Sequence, residues 1–206
     1  MNARVLVRCA VAGAGLSLLA ACGGATAANT SQAPAATVQP VTAAHGPNLE
    51  VTMTIATPDM LKTDTGPAFI PSRLTLPADT DVTVTIVNFD NATPLTGAAT
   101  KFAAATGIIG SLVIEPIDTA NPNGPASGTG QGVMAIDPTT VSHTFTVPAL
   151  GLNVPVASQS RTTFSFHTGA AGTYEWRCMD PCGTGDTGWG GAMTMAGYMT
   201  GTLRIV

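Results

Sequence analysis

Apolar and polar residues alternate at every second position in several short runs of this chain. Leu49–Ala56 reads LEVTMTIA, and Asp81–Phe89 reads DVTVTIVNF with its β-branched residues in register. A period of two puts the apolar set on one face of a strand and the polar set on the other. Shorter runs repeat the pattern: Arg73–Leu76 (ended by Pro77), Leu112–Ile114, Ser142–Val147, Arg161–Phe166, Gly172–Cys178 and Thr200–Val206. Gly, Pro, Asn and Asp punctuate the gaps. Short strands separated by turn signals predict an all-β fold, an antiparallel Greek-key β-sandwich. Helical periodicity is scarce, and Ala98–Ala105 is the stretch that fits one or two turns. Residues 93–140, rich in Gly, Pro, Asn and Thr, break the even strand spacing. They read as a long irregular insertion that covers one end of the sandwich.

The first residues follow another pattern. Arg4 and Arg8 precede an apolar run, Val11–Ala21, too short to span a membrane permanently. The run ends in Leu19-Ala20-Ala21-Cys22-Gly23, which resembles the bacterial lipobox, whose cysteine carries lipid and becomes the first residue of the mature chain. Residues 1–21 are therefore expected to be a lipoprotein signal peptide, and Cys22 the lipidated residue. The protein is then exported and held on the outer face of the cell membrane or in the periplasm. An ordinary signal cleaved near Ala21 is the plainer alternative, and it too exports the chain. Residues 22–46 consist of Ala, Thr, Gln, Ser, Pro and Gly with almost no charge, the composition of a flexible linker. His45 at its end reads as a solvated linker histidine. Residues 47–206 fit one domain.

Charge narrows the function. Without Arg4 and Arg8 the mature chain holds six basic and twelve acidic residues, a formal charge of −6, with no cluster of either sign. Nucleic-acid binding needs basic patches, so it is excluded as a reading. Hydrolases are poorly supported: the chain lacks a G-x-S-x-G elbow and a paired carboxylate pattern.

Export changes the cysteine arithmetic. Of four cysteines, Cys9 leaves with the signal and Cys22 carries lipid, so Cys178 and Cys182 remain as a pair. Fully extended, residues four apart lie about 13 Å from one another, too far for a bridge. Pro181 and Gly183 favour a turn that closes the gap. The pair admits two fates, a disulfide suited to an oxidising compartment or two soft metal ligands.

Several stretches together resemble the cupredoxin family. Phe69-Ile70-Pro71, Leu74–Ala78 and Val82–Asn88 are similar to its opening strands. Gly172-Thr173-Tyr174, Cys178 and Met199–Leu203 are similar to its last two strands and the loop between them. His143–Leu152 (HTFTVPALGL) and Cys178-Met179-Asp180-Pro181-Cys182 more particularly resemble the copper domain of cytochrome oxidase subunit II. The resemblance implies a cupredoxin-like sandwich holding copper through His143, Cys178, Cys182 and Met199. Asp180 offers its backbone carbonyl or else stabilises the turn, and Met195 lies near where some members carry a histidine. The chain departs from both patterns in histidine: none follows His167, and none lies between Asn88 and Thr93. A sulfur-rich set with one imidazole favours Cu(I) over Cu(II) and raises the potential. Met193 and Met195 read equally as further thioether donors or as packing, His167 reads as exposed in a turn, and Trp176 and Trp189 read as packing at the site's edge.

Two functions follow. One is a membrane-anchored copper protein that transfers single electrons or carries copper to a redox or copper-handling protein partner, without being an enzyme. The other is a copper-free module of the same fold, closed by a Cys178–Cys182 disulfide, that binds a protein partner.

Overall fold

The structure is a computed structural model that describes residues 49–121, 124 and 130–206. The signal segment 1–21, Cys22, the linker 22–46 and His45 lie outside the described residues. Among those described, no helix is long and apolar enough to cross a membrane.

Two β-sheets face each other. The first holds β1 (Leu49–Ala56), β2 (Ala68–Ile70), β4 (Asp81–Asn88), β5 (Ile109–Pro116), β6 (Gln131–Val133) and β9 (Ser160–His167), in the order β2-β1-β4-β9-β5-β6. The second holds β3 (Arg73–Leu76), β7 (Val141–Val147), β8 (Leu152–Ala157), β10 (Gly172–Arg177) and β11 (Thr200–Ile205), in the order β3-β11-β10-β7-β8. The fold class is the all-β sandwich that the alternation predicts, but its strands are not all antiparallel. β1 pairs with β4, and β3 with β11, in parallel. Both pairs join strands that are not sequence neighbours, and a parallel pair needs such a crossover.

Alternation works as expected where one face meets the core. In β4, Val82, Val84 and Ile86 are buried while the residues between them are half-buried, and β9 buries Phe164 and Phe166 in the same way. The second sheet supplies Leu74, Leu76, Phe145, Val154, Trp176 and Leu203 to the same core. Trp176 packs edge-on against Phe69 at 4.9 Å between ring centres, and its indole N–H donates to the Ser72 carbonyl at 3.1 Å. An indole in a core needs both an apolar bed and a partner for its one donor, and this one has both.

The insertion is more regular than its composition suggests. β5 extends the first sheet by pairing with β9, and β6 pairs with β5. Gly97–Ala103 forms a 3-10 helix where the sequence predicts one or two helical turns. It lies against the outer side of β7 and β8. There Asn153 donates through Nδ2 to the carbonyls of Phe102 (3.0 Å) and Ala104 (2.7 Å). This cover explains why every residue of β7 is buried, the strand having neither face in water.

Candidate metal centre

His143 reaches the core side of its strand through a bulge. Val141 pairs with Ala157 and His143 with Val156, so two steps along β7 match one along β8. Such an extra residue re-aims the side chains beyond it. Val141 thus packs with Leu95 and Ala103 under the insertion, whereas His143 turns inward, edge-on to Phe69 at 6.1 Å. The imidazole is fully buried.

Cys178 follows directly on β10. Its N–H donates to the Met199 carbonyl (2.8 Å), tying the end of β10 to the approach of β11. The chain then turns. The Met179 N–H donates to the Thr144 hydroxyl at 2.7 Å, and the Cys182 N–H returns to the Asp180 carbonyl at 2.8 Å. Both thiols are free, and the turn brings their sulfurs to 3.6 Å. Residues 183–190 fold back on themselves, which accounts for the long stretch between Cys182 and Met199. The Gly183 N–H donates to the Gly188 carbonyl at 2.7 Å, and Thr184 bridges to Gly190. Only glycine fits at 183, where a Cβ would meet the Gly190 carbonyl oxygen at 2.0 Å. A short 3-10 turn, Gly191–Met193, then lays Met193 over the site.

His143 Nδ1, Cys178 Sγ and Cys182 Sγ all lie within 4.8 Å of one another. Nδ1 is 3.2 Å from Cys182 Sγ and 4.0 Å from Cys178 Sγ. The Thr144 N–H points at Cys178 Sγ from 3.3 Å, and the Asp180 carbonyl oxygen lies 3.5 Å from the same sulfur. Met193 Sδ is 3.3 Å from Cys182 Sγ. Met199 is fully buried in the core beside these groups, and Met195 is 43% exposed on the surface. A cleft of about 190 Å3, lined by Cys178, Met193, Met199, Trp189, Glu175, Arg177 and Thr200, borders the site. Trp189 stands 44% exposed at the cleft rather than packed within the molecule.

Asp90 is the partner that sequence reasoning missed. Its carboxylate lies 3.2 Å from His143 Nε2, in the very loop after β4 that lacks a histidine. Burial disfavours the imidazolium, but Asp90 and Cys178 outweigh it and hold the His143 pKa up at about 9. Burial likewise resists ionisation of Cys178. Its hydrogen bonds from Cys182 and His143 prevail and bring that thiol well below its ordinary value. Cys182, hydrogen-bonded to Cys178 and buried, is pushed up. The two sulfurs therefore retain one proton between them and titrate as a unit. Burial and the neighbouring Cys178 push Asp180 up to about 8, and neither oxygen of its buried carboxyl has a hydrogen-bond partner.

The Thr144 side chain anchors a buried relay. Its hydroxyl pairs with that of Thr146 at 3.0 Å, and Thr146 donates to Asn153 Oδ1 at 2.7 Å. The cysteine turn is thus linked through side chains to the insertion on the outer face. His167 lies elsewhere, at the opposite end of β4 from Asp90, bound to Asp81 at 2.8 Å and Asp79 at 3.0 Å. The described part of the site therefore offers a single imidazole, and a centre needing two does not find its second here.

No family model and no curated protein matches the chain. Among solved structures it is similar to auracyanin A, a "blue" copper protein from Chloroflexus aurantiacus, at 15% identity, covering 77% of this chain and 99% of that chain with a TM-score of 0.35. It is similar to dithionite-reduced auracyanin from Roseiflexus castenholzii at 15% identity, covering 78% and 99%, TM-score 0.35. It is also similar to the periplasmic domain of cytochrome oxidase subunit II from Bradyrhizobium japonicum at 14% identity, covering 77% and 83%, TM-score 0.35. Likenesses of this size carry no argument on their own, and the functional reading rests on the chain's own donor atoms.

Proposed function

We propose that this is an exported, membrane-anchored, cupredoxin-like protein that binds copper at His143, Cys178 and Cys182. It passes single electrons or copper ions to a protein partner and turns over no substrate. The observation that carries the reading is the convergence of one imidazole nitrogen and two thiol sulfurs within 4.8 Å at a buried position. Thiolate, thioether and imidazole suit copper, with Cu(I) favoured as sulfur replaces nitrogen. Asp90 fixes the ring by accepting from Nε2–H, so Nδ1 is the ligand atom, the arrangement that raises a metal-bound imidazole's basicity. Met193 and Met199, both on the cleft, supply thioethers for a weak fourth donor. Bound copper supplies a one-electron couple, and the rigid sandwich keeps the His143 strand and the cysteine turn in fixed relation.

The anchor is Cys22. Two or more acyl chains there hold the protein on the membrane far better than one. Mass spectrometry of the mature protein tests this: an acylated amino-terminal Cys22 supports it, and an unmodified start at any residue removes it.

The sulfur separation of 3.6 Å also favours a second reading, since little movement closes a disulfide. In that case the domain is a copper-free module that binds a protein partner. One experiment separates the two readings and the two copper functions. The full chain is reduced, loaded with Cu(I), analysed for metal, and then oxidised. Binding with a thiolate-to-copper absorption band on oxidation supports electron transfer. Binding without a band supports copper carriage, and absence of binding supports the disulfide-closed module.

A further inference from the structure

Among the described residues, one thioether has a sulfur contact with a site cysteine. Met193 Sδ lies 3.3 Å from Cys182 Sγ. Met193 is half-buried and lines the cleft that runs from the exposed Trp189, Arg177 and Glu175 inward to Cys178 and Met199. Met199 stands at the position where the resemblance places the weak axial ligand, but it is fully buried at the inner end of that cleft. Met195, two residues on, is exposed and does not line it. Among the described methionines, Met193 thus both touches the Cys182 sulfur and lines the passage from solvent. The 3-10 turn Gly191–Met193 keeps it there, with the Met193 N–H donating to the Gly190 carbonyl at 3.3 Å.

We propose that Met193 is the exchangeable donor through which Cu(I) enters the site by way of this cleft, from a donor that presents soft sulfur ligands. The inference rests on the copper reading above and extends it to the route and the residue. A thioether is neutral and soft, so it bonds Cu(I) without a proton to lose. It exchanges with incoming sulfur ligands at little cost. In the transfer, one donor sulfur–copper bond breaks as the Met193 Sδ–copper bond forms. The ion then passes to Cys182, Cys178 and His143 as the donor's remaining sulfur–copper bonds break, the protons held by His143 and the thiol pair leave to solvent, and copper stays Cu(I) throughout.

The test uses the full chain, reduced, with Cu(I) supplied on a chromogenic thioether or bicinchoninate chelator whose absorbance reports transfer. Uptake rate and equilibrium competition are both read. Met193→Leu and Met193→Gln keep similar volume without the soft donor, and near-UV circular dichroism checks that they fold. Uptake by both variants is expected to slow, and affinity to fall, by roughly tenfold or more, while Met195→Leu, on the exposed neighbour outside the cleft, keeps the wild-type uptake rate. Wild-type rates and affinity in both Met193 variants overturn the proposal, as does an equal slowing in Met195→Leu. A wild-type chain that takes up no Cu(I) overturns the copper reading itself, a result distinct from uptake indifferent to Met193.

Discussion

Asp90 holds His143 by its far nitrogen: Nε2 and the carboxylate lie 3.2 Å apart, leaving Nδ1 facing both cysteine sulfurs. The contact joins the loop after β4 to the bulged strand β7, and it selects the ring nitrogen available to a metal. In Asp90→Asn the charge is lost while an acceptor remains. Copper affinity is expected to fall about 10–100-fold, and the His143 pKa to fall from about 9. Competition titration and imidazole NMR read the two effects. An unchanged His143 titration would show that Asp90 does not set it.

Copper uptake is expected to release protons near neutral pH. His143 holds its proton up to about 9, and one proton stays between the two thiols. A metal on Nδ1 and both sulfurs displaces them. Affinity therefore rises with pH from 7, and rises less steeply once His143 deprotonates at about 9, because the proton held between the thiols is still there to be displaced. Indicator absorbance in weak buffer measures the release directly, and uptake without protons contradicts the assigned ligand atoms.

His167 gives a separate, milder pH dependence. Asp81 and then Asp79 raise its pKa at an exposed position. Because the folded value lies above the unfolded one, this contribution to stability is complete below about 6.5. It is lost as pH rises through the folded value. The apo protein should weaken slightly over that range, less so in high salt, and His167→Gln should flatten the profile. Denaturant midpoints at several pH values test it.

Trp176 bears on the core rather than the chemistry. Trp176→Ala removes the ring against Phe69 and Phe145 and is expected to cost about 3–5 kcal/mol. The exposed Trp189→Ala should stay within about 0.5 kcal/mol. Urea unfolding compares them, and equal losses would contradict the burial described for Trp176.

Strands β4 and β9 were legible because each keeps one face in the core and one near water, the condition that writes a period of two into sequence. β8 was not, because Pro155 sits inside its alternating Leu152, Val154 and Val156, and a proline within a run argues against a strand. Pro155 is tolerated since β8 lies at the sheet edge, where a missing N–H leaves no broken ladder within the sheet. β6 is three residues long, too short to show any period. The cysteine turn could be read from Pro181 and Gly183. Asp90 could not, since it meets His143 across 53 residues and only through the packing of two sheets. Met193 could be read as a thioether near the site, but its contact with Cys182 could not, because that depends on how residues 183–190 fold back.

A single copper site formed by His143, Cys178 and Cys182 can be tested at its ligands. The most direct test is metal analysis of the reduced full chain after Cu(I) loading, beside Cys178→Ser, Cys182→Ser and His143→Leu, with free thiols counted before reduction. Free thiols are expected in the native protein, stoichiometric copper in the wild type, and its loss or marked weakening in each variant. A native protein without free thiols that takes up no Cu(I) after reduction would contradict it.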